Sequence, residues 1–245
     1  MIVLYDMARH IASFNVFEWL LLAHVKGARH VVVNRQRVKA AKWPEEIVQR
    51  RIDSIVLPAP ALLGMTCEIG STGVDIGSPS GALAVQAWNS GRMPRLKTVR
   101  PAGKERYTVT LRKTHRANGR DSDEEAWRTF AGEIGARVIP DYDVEPIHLH
   151  DRMALYAGAE MNFFVSNGPG VMCSFSEYPC MIFDTHLAAG SLKSDGVGGW
   201  GAQYPWMLKN QYAIWEAATL PNIRKHFYTW TQGNYDPNAI TTPRT

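Results

Sequence analysis

The residues best suited to chemistry lie in two groups in the second half of the chain. The first is Ser166-Asn167-Gly168-Pro169-Gly170, between an apolar strand-like run ending at Val165 and a following helix. Small residues let backbone N–H groups approach a ligand, and a helix N-terminus carries about half a positive charge. Asn167, Gly168 and Gly170 therefore suit an anion such as a phosphate. The spacing matches neither the Walker loop nor the G-x-G-x-x-G dinucleotide pattern, and the same residues also suit a tight strand-to-helix turn. The second group is basic: Arg112, Lys113, His115, Arg116 and Arg120, with a turn at Asn118-Gly119. It follows an earlier strand, and parallel α/β sheets bind ligands outside the carboxyl ends of their strands. Each group alone reads as a turn or a solvated face. Together, at one sheet edge, they point to a phosphate site.

Other candidates carry weaker patterns. Asp6 and His10 follow the first strand, where a general base could stand, although Asp6 equally suits a cap or turn and His10 a loop. Asp141-Tyr142-Asp143 matches the D-x-D pattern that holds divalent cations on nucleotide phosphates. That pattern is common by chance, and Asp after Pro is a routine turn choice, so no metal is expected. His148 and His150, near Asp151, are spaced for a strand rather than the helix expected there. The glycine-rich stretch 190–201 reads as a loop or a lid. Tyr204, Trp206, Tyr212 and Trp215 read as core. There is no G-x-S-x-G elbow, and neither Cys173 nor Cys180 has a histidine partner, which argues against a covalent hydrolase.

The elements that must position these residues alternate. Residues 2–5 read as a strand, 14–25 as a helix capped by Ser13, and 30–33 as a second strand. A helix starting at Trp43-Pro44 leads to a third strand at Ile55–Leu57. Residues 64–91 show no periodicity, and the basic stretch 94–106 reads as a linker. Tyr107–Leu111 is a β-branched strand, followed by a helix from Ser122 or Asp123 through Ile134 and a strand at 137–139. A helix over 150–157, a strand over 161–165, a helix over 170–178, a strand over 180–183 and a helix over 220–230 complete the pattern. This is an α/β chain of two Rossmann-like halves with parallel sheets, residues 1–100 and 107–245.

Composition narrows the partners. The 245 residues carry a net charge of +4, with basic residues crowded between Arg92 and Arg120. That excess suits phosphates, and it allows peripheral contact with acidic lipid headgroups. No nucleic acid is expected, since no RNP sequence, Cys/His finger or repeated aromatic-basic pattern occurs. The three cysteines share no metal spacing and suit a reducing compartment. The apolar run 14–25 is short and interrupted by Asn15, Glu18 and His24. It is no membrane span, so a cytoplasmic location is expected.

The segments Val109–Lys113, 138–141, Asp151–Ala157, Ser166–Gly170 and Tyr178–Phe183 together resemble the nucleotide-sugar-binding half of GT-B-fold glycosyltransferases. The resemblance implies that Arg112 or Lys113 contacts the donor diphosphate, with Arg116 assisting, and that Asn167 to Gly170 form the completing turn. It also implies Glu177 as ribose ligand, and a base from the first domain, Asp6 or His10. The chain is short for that fold and lacks the E-x7-E signature of many retaining members, which favours an inverting or degenerate member; the transfer is expected to be metal-independent. The expected partners are a nucleotide-sugar donor and a glycan or surface-polysaccharide acceptor, with no cofactor. The alternatives are an epimerase or hydrolase on the same scaffold, and a non-catalytic nucleotide- or sugar-binding protein.

Overall fold

The structure, a computed structural model, describes residues 1–10, 12–35, 43–114, 121–142, 144–185, 202–233 and 235–237. The chain divides into two compact units, Met1–Val99 with Val144–Met153, and Arg100–Asp143 with Ala154–Thr245. Both are α/β and each holds a parallel sheet, so the chain is a Rossmann-like α/β protein in two parts.

The first unit is built on β1 (Ile2–Asp6), β2 (His30–Asn34) and β3 (Thr66–Ile69), in the order β1-β2-β3. Helix α1 (Val16–Val25) connects β1 to β2 and is apolar nearly all round, with Phe17, Trp19, Leu20 and Leu21 fully buried. Its N-cap is Asn15, not Ser13; the Ser13 hydroxyl instead accepts the Asn15 N–H at 3.3 Å. Helix α2 (Glu45–Arg51) begins after Pro44 and runs into a π-type turn, Ile52–Val56, closed by the Leu57 N–H on the Ile52 carbonyl at 2.9 Å. The expected strand at Ile55–Leu57 is therefore helical. Val48, Ile52, Ile55 and Val56 are all buried, and their spacing of four, three and one residues is that of one helix face. A short apolar run alone does not separate strand from helix.

The true third strand, β3, comes ten residues later and pairs in parallel with β2 from His30↔Thr66 to Val33↔Ile69. Three of its four residues are exposed, so it carries no apolar pattern to read. On the far side of β1, Val74 adds a single parallel bridge to Val3. Gly73 makes that approach feasible, since a Cβ there would sit 3.0 Å from the backbone of Val3 and Leu4. Helix α3 (Gly81–Asn89) buries Leu83, Ala84 and Ala87.

The second unit has five parallel strands: β4 (Tyr107–Lys113), β5 (Arg137–Tyr142), β6 (Met161–Val165), β7 (Cys180–Phe183) and β8 (Gln211–Ala213). Their order is β5-β4-β6-β7-β8. From β4 the chain crosses through α4 (Glu124–Ile134) to β5 on one side. It then returns through α5 (Leu149–Tyr156) to β6 on the other side, and moves outward through α6 (Gly168–Ser174) to β7. The direction of winding reverses between β4 and β6.

One face of this sheet, with Tyr107, Val109, Leu111, Phe163 and Phe183, packs on Trp127 and Phe130 of α4 and on Ile223 and Phe227 of α7 (Leu220–Thr231). The opposite face mixes buried apolar residues, Phe164 and Ile182, with a hydrogen-bonded polar group. Thr110 Oγ1 and the Tyr156 hydroxyl are 3.0 Å apart, and Asn162 accepts from Thr108 Oγ1 at 2.6 Å while donating to the carbonyls of Tyr156 and Pro179. Asp123 caps α4 by accepting the Ala126 N–H at 3.1 Å, and Gly135, with φ +65°, ends it in the left-handed region. Among the described residues, no helix is long and apolar enough to cross a membrane.

Candidate functional site

The carboxyl edge of the second sheet holds most of the candidates. β4 ends in Arg112 and Lys113, which lie in register with Asp141 and Tyr142 of β5. β6 ends at Val165 and leads into Ser166 and Asn167. Because β4 and β6 are neighbours at the reversal of winding, Arg112, Lys113 and Asn167 border the reversal point, the place where open α/β sheets receive ligands.

Local bonding fixes each side of this edge. The Arg112 backbone N–H donates to Ser122 Oγ at 2.9 Å, and the Ser122 N–H returns to the Arg112 carbonyl at 3.0 Å. Next to it, Asp121 accepts the N–H and hydroxyl of Thr114 at 3.1 and 3.0 Å. These paired bonds anchor both ends of the basic loop. His115, Arg116 and Arg120 themselves lie outside the described residues. Lys113 is exposed and Arg112 half-buried.

The glycine turn is bonded more tightly than an anion cradle needs. Asn167 is the N-cap of α6: its Oδ1 accepts the Gly170 N–H at 2.9 Å, and its Nδ2 donates to Asp141 Oδ2 at 3.1 Å. One backbone donor of the turn is thus already taken by a side chain. Gly170 does not adopt a left-handed conformation; it is needed for contact, since a Cβ there would lie 3.2 Å from Phe164 Cβ. Helix α6 ends at Ser174, and Glu177 follows it, exposed, on the way into β7. Glu177 therefore belongs to the amino end of β7, opposite the edge that holds Asn167, and is not brought together with Arg112 or Lys113.

In the first unit, Asp6 is the last residue of β1, and His10 follows it. Asp6 Oδ1 accepts the Ala8 N–H at 3.0 Å and Asn34 Nδ2 at 3.2 Å, which ties the ends of β1 and β2 together. His10 donates its backbone N–H to the Asp6 carbonyl at 3.0 Å, and its ring packs 4.7 Å from that of Tyr5. It is 2% exposed, and neither ring nitrogen has a hydrogen-bond partner. Burial holds its pKa below the ordinary histidine value, so the ring is neutral near pH 7.

The remaining readings divide. Asp143 of the D-x-D pattern and the 190–201 stretch lie outside the described residues. Among the described residues, no three histidine, cysteine or acidic side chains cluster to hold a metal ion, and His148 and His150 are exposed with ring centroids 5.7 Å apart. Tyr204, Trp206 and Trp215 are buried, and Tyr212 packs partly buried against the core. Burial raises the thiol pKa of Cys67 to about 11 and of Cys180 to about 12, leaving little thiolate at neutral pH.

Sequence reading missed two arrangements. One is the Asp141–Asn167 contact, because Asp141 was weighed only as a metal ligand or a turn residue. The other is a buried relay in which Glu216 Oε2 meets His226 Nε2 at 2.9 Å and Lys225 Nζ at 2.6 Å, while His226 Nδ1 meets the Tyr235 hydroxyl at 2.6 Å. A carboxylate accepts only, so His226 donates through Nε2 and accepts a hydrogen bond from the Tyr235 hydroxyl at Nδ1. No signal in the sequence links these residues beyond their ability to bond. No protein-family model, curated protein or solved structure matches the chain.

Proposed function

We propose that the second unit binds a nucleotide-sugar at the β4/β6 crevice, and that the protein transfers the sugar to a glycan or surface-polysaccharide acceptor with inversion. The reading rests on one observation. The basic end of β4 and the turn after β6, which suggested a phosphate site separately, border the same reversal point of a parallel sheet. As the acceptor hydroxyl attacks the anomeric carbon, the bond to the diphosphate breaks and negative charge grows on the leaving oxygens. Arg112, Lys113 and Arg116 would stabilise that charge, in place of a metal ion. Asn167, Gly168 and Gly170 would shape the crevice wall, and Glu177 is left out. The acceptor proton would pass to a general base; by its own chemistry His10, neutral and without a hydrogen-bond partner, suits that role better than Asp6, which already accepts two hydrogen bonds.

Thermal shift against the four ribonucleoside diphosphates tests the reading. A ligand present at about a hundred times its Kd adds about 2.7 kcal/mol, or about 5–10 °C in Tm for a chain of this size. Arg112→Ala should shrink the shift. If no nucleotide moves Tm, the reading fails.

A second reading, nucleotide binding without turnover, draws on the burial of His10 and on the bonds that Asp6 already makes. Release of free nucleoside diphosphate from a nucleotide-sugar that requires an added glycan acceptor, and is abolished in His10→Gln, decides for the transferase.

A further inference from the structure

The nucleotide site makes no use of the basic run that precedes β4. Between Asp75 and Glu105 the chain carries no acidic residue and five cations, Arg92, Arg95, Lys97, Arg100 and Lys104. The part up to Val99 belongs to the first unit, and Arg100 and Lys104 continue the run into the second. It opens with helix α3, which has no charged residue. Leu83, Ala84 and Ala87 bury the inner face of α3, while Trp88, in its last turn, is 40% exposed. The chain then turns at Gly91, whose N–H donates to the Trp88 carbonyl at 2.9 Å and whose φ is +67°.

Beyond the turn, Arg92 and Lys97 are exposed, on backbone that is neither helix nor strand. That backbone is anchored: the Arg92 N–H donates to Ser90 Oγ at 3.1 Å, and the Lys97 N–H to the Leu62 carbonyl at 2.8 Å. Among the described residues, neither side chain has a hydrogen-bond or ion-pair partner. Three acids of the unit are paired elsewhere, Asp75 with Arg9, Asp53 with Arg35 and Glu68 with His30. Unopposed cations complement an anionic surface, and an exposed indole beside them suits the headgroup layer of a bilayer, where one end of the ring is apolar and the other wet. Nucleic acid fits less well. Single strands are gripped by successive aromatic platforms along a basic groove, and Trp88 is the one aromatic residue in 76–104.

We infer that the first unit docks on an anionic lipid surface through this segment, with Trp88 in the headgroup layer and Arg92 and Lys97 on lipid phosphates. Charge complementarity selects an anionic partner, and the exposed indole selects a bilayer over other polyanions. Docking of this kind is peripheral and needs no spanning helix. It is independent of the nucleotide site, and either can fail alone.

Co-sedimentation of the full chain with vesicles of phosphatidylcholine alone, and of phosphatidylcholine and phosphatidylglycerol in equal parts, tests it. The protein should pellet with the anionic vesicles and stay in solution with the neutral ones, and added salt should release it. Each cation near an anionic surface strengthens binding about fivefold, so Arg92→Glu combined with Lys97→Glu should weaken it by about twenty-five-fold or more. Trp88→Ala should weaken it severalfold. The same charge change at Arg50 and Lys209, exposed cations outside the segment, should matter much less. Equal losses in the two double variants would show that net charge alone draws the protein, and would overturn this surface. So would a wild type that ignores the anionic vesicles. Single-stranded DNA bound as tightly as the vesicles, with Trp88→Ala unchanged on both, would make the segment a general polyanion surface and overturn the lipid assignment. The vesicle comparison on the wild type needs no variant, so a poorly folded variant does not decide the outcome.

Discussion

The two sheets end in opposite ways at their carboxyl edges. In the second unit, side chain is tied to side chain: Asn167 to Asp141 and to the Gly170 backbone, Thr114 to Asp121, and Ser122 to the backbone of Arg112. In the first unit Asp6 is tied to Asn34, but four residues further on His10 is buried with both nitrogens unpaired. A buried polar group without a partner costs about 1–3 kcal/mol. The contrast separates polar groups that build the scaffold from one whose polarity the scaffold does not use.

Three substitutions can break or sharpen that contrast. The largest effect belongs to the scaffold. Gln211, at the start of β8, donates through Nε2 to the carbonyls of Cys173, Ser176 and Tyr178 at 2.9–3.0 Å, and its Oε1 accepts the Leu208 N–H at 2.9 Å. Gln211→Leu keeps the bulk and strands these groups, and should cost about 3 kcal/mol in urea unfolding. A loss below about 1 kcal/mol would mean that this network is not structural in the sense drawn here.

Asn167→Ala comes next. It removes a cap and the bridge to Asp141, and should destabilise by about 1–2 kcal/mol. If stability is unchanged, the bonded carboxyl edge of the second sheet is not part of its scaffold.

The smallest effect, and the one of opposite sign, is His10→Phe. The ring contact with Tyr5 survives while two unpaired nitrogens vanish, so stability near pH 7 should rise by up to about 1 kcal/mol. Acid makes the same contrast visible without a new side chain. The pKa of His10 and that of His226 are lowered chiefly by burial, the pull of Glu216 notwithstanding in the second case. The unfolded chain therefore binds protons first. Each group's contribution is present above the unfolded value of about 6.5 and is lost as pH falls through the lower folded value. Urea midpoints measured between pH 7 and pH 5 should fall, and His10→Phe should fall less than the wild type. Equal pH dependence would show that His10 is solvated.

Much of the second unit could be read directly. Val109, Phe163 and Phe183 sit on strands long enough and apolar enough to declare themselves, and Asp123 before Glu124 and Glu125 marks a helix start. The first unit was harder. Ile55 and Val56 are apolar in the way of a strand, yet they continue a helix that began ten residues earlier. β3 is an exposed edge strand, and β8 has three residues, so neither offers a period to detect. For the candidate site, the positions of Arg112, Lys113 and Asn167 after strands were legible. The misplacement of Glu177 was not, because it depends on where α6 stops, and helix ends are set by local bonds such as those of Phe175 and Ser176 to the last turn.

The sequence by itself determined the alternation of strands and helices, and hence the α/β class. Burying a strand on both faces requires a run of apolar residues whatever the partner, and a helix needs its cap nearby. Only the tertiary structure decided the strand order, and with it the reversal between β4 and β6. It also decided that the Asn167 amide is spent on Asp141 and Gly170, and that His10 keeps an unpaired ring. These are contacts between residues distant in the chain or hidden by packing. A side chain's type fixes what it can bond, and only the fold fixes whether that bond has been made.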